Sequence, residues 1–148
     1  MTDFAPAGLL RRLAAAVYDV LVVAALFMLT AFVVLAFRGG KPVNPGNLLF
    51  QFSLVATAAI YYAGFWAHGG QTIGMRAWRI KAEQQTGEAL SWPLGLIRFV
   101  VGVLCMIPAG LGMLWLIVDP QHLTWYDRLT RTRVVVLPKT GQQPPVAR

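Results

Sequence analysis

Residues 13–37 form an apolar run that carries a single charge, Asp19, and is closed on either side by Arg12 and Arg38. About 20 apolar residues is the length at which a helix crosses about 30 Å of hydrocarbon. A carboxylate within such a segment costs roughly 2.5 to 3.5 kcal/mol, so the rest of the chain must neutralise it, hydrate it or use it. Two further windows have the same reach: residues 48–67, with no charge at all, and residues 99–118, bounded by Arg98 and Asp119. A hydrophobic share of 57% against 13% charged residues fits an integral membrane protein better than a water-soluble core. The expected fold class is an all-α membrane bundle: two transmembrane helices, a broken or re-entrant third helical segment, and a small cytoplasmic β-hairpin or sheet.

The first window exceeds the apolar core of a cleavable signal peptide, about 7–15 residues, so it is expected to be retained. One membrane domain is expected over residues 1–138. Residues 139–148, dominated by Gly, Gln and Pro, read as a disordered tail. The net charge of +7 would suggest nucleic acid in a soluble protein. Here the basic residues flank apolar segments, where the lipid bilayer is the expected partner and nucleic acid is not. Cys105 is the sole cysteine and lies among apolar residues, while His68 and His122 are far apart, so neither a disulfide nor a metal cluster is expected. No cofactor motif, phosphate loop or Ser-His-Asp set is visible, which argues against an enzyme.

Along the chain, Gly39, Gly40 and Pro42 end the first helix. The second helix finishes near His68 with Tyr61, Tyr62, Phe65 and Trp66, an aromatic cluster suited to a membrane interface. Trp78, Ile80 and Ala82 then alternate with Arg79, Lys81 and Glu83 ahead of Thr86-Gly87, which predicts an amphipathic hairpin whose return strand is residues 88–90. Ser91 is placed to cap a helix that tolerates Pro93 in its first turn. The stretch 125–137 ends with Thr132, Val134 and Val136 alternating with Arg131, Arg133 and Val135, which reads as a strand that extends the hairpin into a small sheet. Trp78, Trp92 and Trp125 read as interfacial anchors.

Pro108, Gly110 and Gly112 interrupt the third window, and the basic residues choose between a straight span and a fold-back. Leaving aside Arg98 at a boundary, a straight span with the amino terminus inside puts five Lys or Arg in the cytoplasm and seven outside. Turning back at residues 108–112 gives ten inside and two outside. The returning arm of about ten residues makes only roughly 15 Å of helix, so the two arms are expected to be half-helices buried against the other two. The site of action is then the inner (plasma) membrane of a bacterium, with a cytoplasmic amino terminus.

Arg12 and Asp19 lie two helical turns apart and project from nearly one face, which defines a polar stripe without a direct ion pair. Asp19 has two readings of equal weight. It binds a cation or carries a proton, or it anchors the bundle by pairing with an Arg such as Arg98 or by bonding a helix terminus. Asp127 lies on the same side as Arg12 if the third segment folds back, and its plainer reading is a solvated residue or a helix cap. Asp119, before Pro120, ends a helix on its plainer reading. Gly70 and Gly74 around Thr72 form a tight turn, or present backbone amides to an anion.

Together, Arg12, Asp19 and the Asp127 that precedes Leu129-Thr130-Arg131-Thr132-Arg133-Val134-Val135 resemble the Arg-Asp-Asp signature of the RDD family of small integral membrane proteins. Residues 69–76, Gly-Gly-Gln-Thr-Ile-Gly-Met-Arg, are similar to that family's Gly-x-Thr-x-Gly segment. The likeness covers about residues 9–137. Two departures stand out: Tyr126, where the family often has His, and Arg131, where it often has a small residue. The resemblance implies ion or small-solute transport, since members are assigned cation/proton antiport. The alternative is a non-transporting scaffold or accessory subunit. With so few spans, a pathway calls for a homo-oligomer or a membrane partner protein.

Overall fold

A computed structural model describes residues 4–44, 46–106, 115–117, 119 and 123–138. Helix α1 (Leu9–Phe37) and helix α2 (Leu48–Ala67) form an antiparallel hairpin, and both are long and apolar enough to cross a membrane. A one-turn helix α3 (Ile73–Ala77) leads into strand β1 (Ile80–Gln84), followed by α4 (Trp92–Met106), a 3-10 turn at Trp115–Ile117, a one-turn helix α5 (Trp125–Leu129) and strand β2 (Thr132–Val136). Helix α4 starts directly after Ser91 with Pro93 in its first turn, seven residues ahead of the apolar window. The turn expected at residues 108–112 and the tail 139–148 lie outside the described residues, as does His122.

The burial pattern of α1 is inverted relative to a soluble helix. Its buried residues are Arg12, Ala15 and Asp19, one stripe at the three-to-four spacing of a helix face. Val17, Val20, Leu21, Met28, Leu29 and Phe32 are exposed, as are Phe52, Val55 and Ile60 on α2. Halfway along, the Thr30 and Thr57 hydroxyls meet at 3.0 Å, each also bonding a carbonyl of its own helix. Both hydroxyls thus turn toward the facing helix, where each finds a polar partner. Helix α2 packs closely on α4 where Gly95 meets Ala63: a Cβ at Gly95 would lie 3.2 Å from the Ala63 Cα.

The expected local hairpin is replaced by a distant pairing. β1 pairs antiparallel with β2, in the register Ile80↔Val136 through Gln84↔Thr132, rather than with residues 88–90. Residues 84–89 instead close a turn, with Gln84 N–H donating to the Glu88 carbonyl at 2.9 Å. The reason is burial: β1 and β2 share an apolar face through Ile80, Ala82 and Val134, which join Ala7, Ala15 and Met75 in one core. Strict alternation also fails at Glu83, which is 4% exposed because it lies opposite Arg133 and accepts its Nε at 2.9 Å. Residues 5–7 run along the outer edge of β2 and Gly70 bonds the outer edge of β1, so both edges are covered.

The sheet is the centre of a pseudo-two-fold arrangement. Thr72 and Thr124 each cap a five-residue helix, Arg79 and Arg131 each take φ +51°, and a five-residue strand with the same burial pattern follows each of them. The carbonyl of Arg79 accepts from Leu137 N–H at 2.8 Å, and that of Arg131 accepts from Gln85 N–H at 3.0 Å, the matching bonds at the two ends of the ladder. This layer of two short helices and two strands sits where α1 begins, α2 ends and α4 begins.

Candidate functional site

Beneath that layer, three charged side chains meet. Arg12, from the first turns of α1, approaches Asp127 Oδ2 through Nη1 at 2.5 Å, and its Nε donates to the Ala7 carbonyl at 3.1 Å. Arg98, from α4, approaches Asp127 Oδ1 through Nη2 at 2.7 Å. Asp127 is fully buried. It is also the third residue of α5 and closes a capping box: Thr124 Oγ1 accepts Asp127 N–H, and Asp127 Oδ2 accepts Thr124 N–H, both at 3.2 Å. Burial alone would raise the Asp127 carboxyl, but the Arg98 and Arg12 guanidiniums outweigh it and hold the group below the usual carboxylate range.

Arg98 is itself 2% exposed, sandwiched between the Trp66 ring at 5.2 Å and the Tyr126 ring at 4.9 Å, and it donates to the Thr132 hydroxyl. Its Nε has no hydrogen-bond acceptor among the described residues, and the 2.7 Å approach to Asp127 Oδ1 is an ion contact with poor donor alignment. Position 126, where the family often has His, is thus filled by a ring that covers a buried cation.

Asp19 does not join this clasp. Its Oδ1 accepts from the Tyr61 hydroxyl at 2.8 Å and from Gly74 N–H at 2.9 Å, and its Oδ2 accepts from the Thr72 hydroxyl at 2.6 Å. The helix-terminus form of the anchoring arrangement is the one present, with no bond to Arg98. Of the two glycine amides that could face an anion, that of Gly74 faces the chain's own carboxylate and that of Gly70 donates to the Trp66 carbonyl at 3.0 Å. Gly74 is required by close approach, since a Cβ there would overlap the Ala15 carbonyl oxygen. Gly70 is required by its φ of +75° and by the Ala82 carbonyl oxygen.

What links the two carboxylate sites is a cavity of about 260 Å³ between α1, α2 and α4. Arg12, Asp19 and Arg98 line it together with Tyr62, Trp66, Met75, Gly102 and Met106. Asp119 stands apart, paired with the half-exposed Arg128 and accepting Leu123 N–H at 2.8 Å. The structure therefore brings Arg12, Arg98 and Asp127 into direct contact, sets Asp19 beside the same cavity, and leaves Asp119 outside. Sequence reasoning missed Tyr61, Thr132 and Thr124. The first was read only as interfacial, whereas Thr124-x-x-Asp127 carries a capping-box spacing that was there to be found. Among the described residues no group of three His, Cys, Asp or Glu is placed to hold a metal.

Fold and site together define a small, mainly helical protein with two span-length apolar helices and a capping layer locked by an Arg–Asp–Arg clasp. The chain belongs to the RDD family, whose sequence model matches residues 6–131. No curated protein and no solved structure gives a significant match. The φ of +51° at Arg131 gives a physical reason for the small residue the family often has there.

Proposed function

We propose that this chain is an integral membrane protein of the bacterial inner membrane, and that the cavity beside Asp19, Arg12 and Arg98 binds an ion or small solute on its way across the bilayer. α1 and α2 are the full spans and the capping layer faces the cytoplasm. The chain between β1 and β2 enters and returns on one side, because the strands that flank it pair with each other. The observation that carries the reading is a cavity lined by three buried charged side chains inside a molecule whose long helices expose apolar faces. A proton or cation at Asp19 is the ion the site suits, and a second copy or a partner protein completes the path.

The test uses Gly102, where an added Cβ meets nothing within 4 Å although the residue lines the cavity. Gly102→Leu fills the cavity without touching either carboxylate. Cation and proton flux in proteoliposomes should fall at least tenfold in this variant and in Asp19→Asn while both stay folded. Wild-type flux in both folded variants sinks transport through this cavity. The second reading is a scaffold that carries no solute, favoured by the three bonds that already satisfy Asp19. Absence of flux from the wild-type chain, alone and with co-purified partners, supports it.

A further inference from the structure

Arg79 and Arg131 are the two non-glycine residues with positive φ among the described residues, both at +51°. They occupy equivalent corners on either side of the pseudo-two-fold, each one residue before a strand. The backbone reason is clear: the left-handed turn aims each carbonyl at the far end of the opposite strand, to accept Leu137 N–H or Gln85 N–H. That need is met best by Gly or Asn, because a left-handed conformation crowds any Cβ. Nothing in the fold calls for a guanidinium at either place. Both side chains are exposed and neither forms an ion pair with a described residue. An unfavourable conformation kept with a costly side chain points to a use for that side chain.

The surroundings say which use. Trp78, next to Arg79, is 40% exposed, and Leu129, two residues before Arg131, is 70% exposed. A second arginine stands three residues back at each corner, Arg76 over the Phe65 ring and Arg128 on Asp119. Each corner thus pairs a free cation with an exposed apolar side chain where the apolar helices meet the capping layer, the arrangement of a membrane-interface contact. We infer that Arg79 and Arg131 are two matched seats for the phosphate of an anionic phospholipid headgroup. This rests on the membrane reading above. It assigns the corners, rather than the cavity, as the place where the protein senses the charge of its leaflet.

The full chain in a neutral detergent is titrated with dioctanoyl phosphatidylglycerol, dioctanoyl phosphatidylcholine and glycerol 3-phosphate, with bound ligand counted by native mass spectrometry. Two phosphatidylglycerols should bind in preference to phosphatidylcholine. At roughly fivefold per arginine, Arg79→Gly/Arg131→Gly should weaken phosphatidylglycerol about 25-fold in total, and Arg38→Gln/Lys41→Gln at the opposite loop should not change it. Because Gly suits φ +51°, the Gly pair should melt no lower than the parent, and Arg79→Asn/Arg131→Asn supplies the same comparison if it does. Phosphatidylglycerol binding unchanged in the folded Gly or Asn pair overturns the assignment, as does equal binding of phosphatidylcholine. Equal binding of glycerol 3-phosphate shows a soluble-phosphate site and overturns the lipid one. Carbonate extraction of the protein from membranes tests the membrane reading separately: retention without headgroup preference sinks only the seats.

Discussion

Asp19 and Asp127 are equally hidden from solvent, yet the chain supports them in opposite ways. Asp19 sits among neutral donors: two hydroxyls and one backbone amide, drawn from α2 and from the start of α3. Asp127 sits between two full charges from α1 and α4. Neutral donors satisfy a carboxyl group without adding charge, and they hold Asp19 at the cavity wall. Two guanidiniums share one carboxylate and bind three elements at once, at the cost of making each partner dependent on the others. One arrangement holds a carboxyl group beside the cavity, the other works as a fastener.

The contrast can be broken most forcefully at Asp127. Asp127→Asn leaves Arg12 and Arg98 buried without a counter-charge and should cost roughly 3–5 kcal/mol, read as a large drop in thermal unfolding temperature in detergent. A loss below 1 kcal/mol would mean the clasp is solvated. Asp19→Asn removes charge from a set of neutral donors and turns one acceptor into a donor, so about 1–3 kcal/mol is expected. If it proves as damaging as Asp127→Asn, the distinction between the two sites is lost. Thr124→Ala opens the capping box and should cost about 1 kcal/mol, with Arg98 and Arg12 still paired.

Acid sharpens the same comparison. The folded Asp127 carboxyl lies below its unfolded value of about 3.9, so its contribution is fully present above that pH and fades as pH falls through the folded value. Unfolding temperature should therefore be insensitive to this group between pH 5 and 8 and fall only below about 4. Asp127→Asn should flatten that acid limb. The smallest effect belongs to the sheet: Glu83→Gln keeps an acceptor for the Arg133 Nε and should cost under about 1 kcal/mol.

Much of this was legible in order along the chain. The long apolar windows gave α1 and α2 because helix length against hydrocarbon thickness depends on consecutive residues alone. Asp19 stood out for the same reason. The β1–β2 pairing was only half legible: both strands alternate, yet the nearest turn, Thr86-Gly87, pointed to residues 88–90 as the partner, and only the shared apolar core selects β2. The donors to Asp19 were illegible because Tyr61 and Thr72 lie 42 and 53 residues away and look, in sequence, like an interfacial ring and a turn residue. Local patterns report which face a side chain takes; they do not report which distant group it meets there.

The clasp has a consequence for how the chain is made. Arg12 precedes Asp127 by 115 residues, which at 5–20 residues per second is about 6 to 23 s of translation. Throughout that interval Arg12 awaits the carboxylate that it meets in the folded protein. A segment made late thus fastens one made early, so the clasp closes only after α5 has emerged.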